Sequence, residues 1–139
     1  MLVSSYVHNI DAKSRVFVPA RFRLDLGLHF YVCYWEVDGC LRAYSEEKWK
    51  ELTDKLKTLT VKKVSAARKI VGEADPVDMD SQGRILLSEK LCRKVGITEQ
   101  VQFVGMTDWV ELWKPEKYDE IINDDSGEDL ADILTELGI

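Results

Sequence analysis

A chain of 139 residues with 45% hydrophobic residues and four Trp can bury a core, as one domain or two very small ones. No apolar run approaches the roughly 20 residues that cross a bilayer, and the Met-Leu-Val-Ser-Ser-Tyr start lacks the basic-then-apolar order of a signal peptide, so no membrane partner is expected. The net charge of −6 is uneven: residues 116–139 carry nine acids and one base, and the remainder is positive by two, so the distribution matters more than the total.

Residues 5–10 alternate loosely and read as a strand. Residues 11–14 read as a turn, since Asp favours turn starts. Val16-Phe17-Val18 is a short strand closed by Pro19, which suits the first turn of a helix over 19–26, with Phe22 and Leu26 on one face and Gly27 at its C-cap. Residues 28–35 are aromatic and β-branched, a buried strand. Asp38-Gly39 signals a hairpin, and residues 40–44 return. Ser45, Glu47 and Lys48 open a helix that runs past Trp49 to Leu56. Residues 60–72 are basic, with apolar Val61, Val64, Ala67 and Ile70, and predict one amphipathic helix ended by Gly72. The order then repeats: strand 77–79, turn 80–83, strand 84–87, helix 88–95, Gly96, strand 100–105, turn 106–108, strand 109–113, and a helix from near Pro115. After the breaker at 123–127, Leu130, Ile133, Leu134 and Leu137 form one apolar stripe on an acidic helix, which needs a surface to bury against.

The repetition is the strongest signal. Asp11-Ala-Lys-Ser-Arg15 precedes Val-Phe-Val, and Asp80-Ser-Gln-Gly-Arg84 precedes Ile-Leu-Leu, at an offset of 69 residues. An ungapped alignment at that offset maps Gly27 to Gly96, Val32 to Val101, Tyr34 to Phe103, Leu41 to Val110 and Trp49 to Tyr118. Two copies are too few for a solenoid and suit two small units that pair face to face. Asp and Arg four apart across a tight turn can form a charge-assisted hydrogen bond that pins the turn and aims the arginine. Such an exposed pair adds little stability, so its value lies in geometry. In the second copy Gly83 stands before the arginine, where a positive φ costs little.

Other chemistry finds thin support. His8 and His29 are not repeated, the three cysteines (Cys33, Cys40 and Cys92) show no C-x-x-C spacing and read as reduced, buried thiols, and no phosphate loop, nucleophile elbow or metal-ligand spacing occurs. The chain is therefore expected to be no enzyme, with no metal, cofactor or small-molecule substrate. Trp35, Trp49, Trp109 and Trp113 are expected to pack the core.

The segment Asp11-Ala-Lys-Ser-Arg-Val-Phe-Val-Pro-Ala-Arg-Phe-Arg23 resembles the signature of the MraZ family of bacterial transcriptional regulators, and Asp80-Ser-Gln-Gly-Arg-Ile-Leu-Leu87 resembles its second copy. The similarity covers roughly residues 1–120, and each half resembles the swapped-hairpin AbrB (SpoVT-AbrB) domain. The resemblance implies a mostly β, α+β fold in which two tandem halves interlock about a pseudo-twofold axis in a barrel-like core. The expected units are 5–52 and 74–121, a linking helical segment 53–73, and an acidic tail 122–139. It further implies a cytoplasmic, nucleoid-associated ring of identical subunits. That ring would bind short repeats in promoter DNA upstream of the division and cell-wall gene cluster. Matched residue by residue, Arg15 and Arg84 face double-stranded DNA, Asp11 and Asp80 brace them, and Lys13, Arg21, Arg23 and Lys90 add contacts. Departures are Ser14 where the family usually has Gly, neutral Gln82 opposite Lys13, and Ser88-Glu89 in place of the usual Pro, which is expected to loosen the second helix start. The alternative is an antitoxin-like interaction module that uses the acidic tail.

Overall fold

The computed structural model describes residues 1–139 and orders them as β1 (Ser5–Asn9), β2 (Arg15–Phe17), α1 (Ala20–Leu26), β3 (His29–Trp35), β4 (Cys40–Ser45) and α2 (Glu46–Leu56). A linking segment follows, and then β5 (Asp75–Asp78), β6 (Arg84–Leu86), α4 (Glu89–Val95), β7 (Gln100–Gly105), β8 (Val110–Trp113), α5 (Pro115–Ile122) and α6 (Leu130–Glu136). The linking segment is a 3-10 turn (Val61–Lys63), one α-helical turn α3 (Val64–Ala67) and a π-helical turn (Arg68–Gly72), not the single helix expected. Its apolar residues recur every third position, at Val61, Val64, Ala67 and Ile70, which fits a 3-10 start and drifts off a 3.6-residue stripe.

The fold is α+β, and its two copies are woven together strand by strand. Six antiparallel strands run in the order β1-β7-β8-β4-β3-β5, and β2 pairs only with β6. Thus β1 of the first copy lies on β7 of the second, β5 of the second lies on β3 of the first, and both seams at the centre join one copy to the other. The pairing Arg42 with Glu111, flanked by Leu41–Leu112 and Ala43–Val110, sets counterparts opposite each other and marks a pseudo-twofold axis. Val16 opposite Ile85 marks it again on the ribbon. The large sheet ends on β1 and β5 and does not close into the expected barrel. Edge position also explains how β5 tolerates Pro76.

The single 69-residue offset fails over one strand pair. Asn9 pairs with Gln100, whereas its counterpart Asp78 pairs with His29, so β3 maps to β7 at an offset of 71. Val32 therefore corresponds to Phe103, not Val101. The second hairpin recovers the difference with a shorter turn, in which the Met106 N–H donates to the Trp109 carbonyl. A slip of two residues keeps every side chain on its face of the sheet, so the hydrophobic pattern could not reveal it.

The main core lies between the large sheet, the β2–β6 ribbon and helices α1 and α4, with Val16, Phe22, Phe30, Ile85, Leu91 and Phe103 fully buried. The tryptophans do not join it. They pack on the opposite face of the sheet, Trp49 of α2 with Cys33 and Tyr44, and Trp113 with Cys40 and Val104 near Tyr118 of α5. Trp35 and Trp109 sandwich the Arg42 guanidinium at 3.9 and 4.0 Å. No helix is long and apolar enough to cross a membrane.

Candidate nucleic-acid interface

Each Asp-x-x-x-Arg segment builds the same hydrogen-bonded turn. The Asp11 Oδ1 accepts the backbone N–H groups of Lys13 and Arg15, both at 2.9 Å, and its Oδ2 accepts the Arg15 Nε–H at 2.8 Å. In the second copy Asp80 Oδ1 accepts from Gln82 and Arg84 at 2.9 Å, and Oδ2 accepts the Arg84 Nε–H at 2.8 Å. The backbone closes both turns in the same way, with Asp11 N–H donating to the Arg15 carbonyl and Asp80 N–H to that of Arg84. One carboxylate thus organises a whole turn and one guanidinium edge. The hydrogen bond from the arginine backbone N–H is the largest of the causes that hold both aspartates below the ordinary carboxylate value of 3.8.

Interlocking brings the two turns together. Strands β2 and β6 form a two-stranded ribbon in which Arg15 faces Leu86 and Phe17 faces Arg84. The ribbon buries Val16 and Ile85 and turns Arg15, Phe17, Arg84 and Leu86 to the other side. Each turn also donates or accepts across the axis: the Val18 N–H bonds the Gly83 carbonyl at 2.9 Å and the Leu87 N–H bonds the Ser14 carbonyl at 3.0 Å. Each arginine commits its Nε to aspartate and no protein hydrogen bond engages the terminal amino groups, so both keep a fixed, partly exposed guanidinium edge free, with that of Arg84 lying 5.8 Å from the Phe17 ring centroid. The structure therefore assembles one surface with two aimed arginines and two exposed apolar side chains.

The remaining expected contacts sit around this ribbon with differing freedom. Lys13 is exposed on the first turn and Arg21 on α1. Arg23 is half-buried. Its Nε–H donates to the Val18 carbonyl at 2.9 Å and its guanidinium lies against Gly83, where an added Cβ would stand 2.3 Å from Cζ. Arg23 thus braces the opposite copy's turn. Lys90 forms an ion pair with Glu73. The expected loosening of α4 is not seen: the Ser88 Oγ accepts the Leu91 N–H at 3.3 Å and caps the helix where α1 has Pro19.

Sequence reading missed Phe17 and Leu86 as surface groups. They are counterparts, 43% and 62% exposed at the centre of the arginine face. The signal was present in the repeat itself, because alternation in a three-residue strand whose middle residue is buried turns the third residue outward with the first. His8 also enters here, as its Nδ1–H donates to the Phe17 carbonyl at 2.7 Å and ties β1 to the ribbon.

Two other groupings lie apart from the turns and the ribbon. Asp38, Cys40 and Glu111 bring ligand atoms within 4.8 Å of one another. However, Glu111 accepts the indole N–H groups of Trp109 and Trp113, and Asp38 is ion-paired with Arg42. A cavity of about 690 Å³ between the first hairpin and the linking segment is lined by Tyr34, Trp35, Lys69 and Lys94 among others, and by no residue of the turns or ribbon.

Comparison with known proteins places the chain among its relatives. The family model described as "MraZ protein, putative antitoxin-like" matches the chain twice, over residues 1–69 and 70–137. The chain is 42% identical over 144 residues to the protein named transcriptional regulator MraZ of Thermoanaerobacter pseudethanolicus, covering all of both chains. It is 36% identical to the protein of that name in Lachnoclostridium phytofermentans, over all of this chain and 99% of the relative. It is 33% identical to that of Finegoldia magna, over the full length of both. With both repeats matched and full-length relatives above 30% identity, this chain belongs to the MraZ family.

Proposed function

We propose that this protein is a DNA-binding transcriptional regulator that lays the β2–β6 ribbon and its paired Asp-x-x-x-Arg turns on double-stranded DNA. The full-length relatives are named transcriptional regulators. The observation that carries the reading is the identical bracing of Arg15 and Arg84 on one exposed face. A braced guanidinium fork suits bidentate recognition of guanine or phosphate, and a two-stranded ribbon fits the major groove. Phe17 and Leu86 add apolar surface of the kind that meets thymine methyl groups. Lys13 and Arg21, with Lys90 once released from Glu73, supply salt-sensitive phosphate contacts around the ribbon, while Arg23 holds the second turn.

In the finer reading, identical subunits form a ring that repeats this face. The ring binds short repeated sequences upstream of the division and cell-wall genes and gains affinity through effective concentration. The protein works in the cytoplasm at the nucleoid. The test is a fluorescence-anisotropy titration on the DNA upstream of its own gene, against a shuffled duplex, at several salt concentrations. Preferential binding that falls with salt and is lost in Arg84→Ala supports the reading. Equal or absent binding to both duplexes, with the fold intact by circular dichroism, refutes it. The exposed apolar stripe of α6 favours one rival, a partner-binding module: deletion of 124–139 would then abolish a protein partner and leave DNA binding intact.

A further inference from the structure

We propose that the cavity between the first hairpin and the linking segment is a binding site for a small aromatic anion, a planar ring that carries one phosphate or carboxylate group. The site lies off the ribbon, so it stands or falls apart from the DNA-binding reading.

The strand pairing makes the hollow. Strand β5 covers β3 only from His29 to Val32. Past Val32 the outer edge of β3 has no strand beside it, and the chain ahead of β5 stands off the sheet in the π-helical turn Arg68–Gly72. Such turns are rare and recur at functional sites. The space left is about 690 Å³, inside the range of roughly 300–1,000 Å³ that small-molecule sites occupy. Its walls come from three parts of the chain: the end of β3 with the turn after it, the linking segment, and α4.

Apolar side chains give the site its shape. Trp35, Val37, Ala66 and Ile70 line it, with Tyr34 beside them. The Arg42 guanidinium covers one face of the Trp35 indole at 3.9 Å, yet Arg42 is no part of the cavity wall, so the rest of the ring is left to an occupant. A flat ring stacked or set edge-on against an aromatic side chain gains more than its buried area alone. A small hydrated ion finds few polar partners on such walls and keeps its water instead.

The charges give the site its sign. Arg68, Lys69 and Lys94 line the cavity together with Glu36 and Glu73. Lys69 donates to Glu36 at 3.3 Å, and Glu73 is ion-paired with Lys90. Arg68 and Lys94 are left with no ion-pair partner. The Lys94 ammonium instead rests 5.2 Å from the centroid of the Tyr34 ring. Arg68 belongs to the linking segment and Lys94 to α4, so an anion drawn into the cavity meets free positive charge on both walls. A cationic ligand would meet the same two charges and be repelled. Ring and anion together therefore match the site, and neither alone does.

The probes are adenosine monophosphate, a ring with a phosphate, and indoleacetate, a ring with a carboxylate. Equilibrium dialysis of the full chain measures binding, and fluorine NMR of the fluorotryptophan-labelled chain places it. At millimolar concentration at least one probe should shift the Trp35 resonance and leave that of Trp113, on β8, in place. Ala66→Tyr fills the cavity from an exposed position of α3 and should abolish the shift. Arg68→Gln combined with Lys94→Gln should weaken binding by about tenfold. Circular dichroism checks that both variants fold. Adenosine, indole and inorganic phosphate, each half of a probe, should bind more weakly than the whole. Binding of one probe alone supports the site and assigns its anion as phosphate or carboxylate. No Trp35 shift with either probe, a shift that persists in folded Ala66→Tyr, undiminished affinity in the charge variant, or a neutral half that binds as tightly as its parent would overturn the proposal.

Discussion

The two Asp-x-x-x-Arg turns share every hydrogen bond that defines them, yet their surroundings differ. The first has Ser14 at φ 61° and the second Gly83 at φ 87°, so both place a residue in the left-handed region. A side chain stands at 14, whereas one at 83 would displace the Arg23 guanidinium that lies across the second turn; the counterpart of Arg23 is Cys92. The first turn carries Lys13 and the second the neutral Gln82. One backbone device, used twice, is thus held by different neighbours. The shared part aims an arginine, and the unshared part sets stability and local charge.

The strongest way to break the pairing is to remove one fork at a time. Arg15→Ala and Arg84→Ala should each weaken DNA binding by roughly 1–3 kcal/mol per contact, about five- to 150-fold, with thermal unfolding little changed because exposed ion pairs contribute little. Anisotropy titration checks the first part and a melting curve the second. A folded Arg84→Ala protein of full affinity would show that the second turn faces away from DNA.

The next effect separates the turns by stability. Gly83→Ser should destabilise the chain by about 1–2 kcal/mol, from left-handed strain and from displacing Arg23, which loses its bond to the Val18 carbonyl. Adding Arg23→Cys, which copies the first turn's surroundings, should recover part of that loss. Denaturant unfolding of the two singles and the double measures the coupling. Equal destabilisation in the presence and absence of Arg23 would leave backbone strain as the whole cause.

These asymmetries mark where sequence reading succeeds and stops. The turns, the short strands, the Ser45 cap and the Gly27 end were legible because Asp, Gly, Pro and Ser act on adjacent backbone. The shared helix face of Phe22 and Leu26 followed from their spacing, and both are buried. The two-residue slip of β7 was invisible, since alternation is unchanged by an even shift. The tryptophans were read as buried, but not on which face, because both faces of β4 carry large apolar side chains and Arg42 hides among them. Arg23 looked like a free cation until the opposite copy's turn was placed against it. The failures at Arg23 and Arg42 concern contacts between the copies, which local pattern does not encode, whereas the linking segment and the Ser88 cap differ from expectation within their own segments.

A milder change equalises the turns in charge. Lys13→Gln makes the first loop match Gln82, and should lower affinity a few-fold while reducing the salt slope of binding by about one. Specificity between the promoter and a shuffled duplex should hold, because a phosphate contact weakens binding to all sequences alike. A change in sequence preference would move Lys13 from the backbone to a base edge.

The smallest difference expected between the turns is in their acid titration. Asp11 and Asp80 are each held below 3.8 by the same causes in the same order: first the hydrogen bond from the arginine backbone N–H, opposed by partial desolvation, then the arginine side chain, then the amide at position 13 or 82. The Lys13 side chain supplies none of these causes; its backbone does. Since both folded-state values are depressed, the bracing is fully present above about pH 4, near the unfolded carboxylate value, and is lost as the pH falls through the folded value. Carboxyl-carbon NMR should therefore show Asp11 and Asp80 titrating nearly together, below the ordinary value, and Lys13→Gln should leave the Asp11 midpoint in place. A large upward move of Asp11 in that variant would mean that side-chain charge, rather than the hydrogen-bonded turn, holds the first carboxylate, and the two turns would then differ in the one feature they otherwise share.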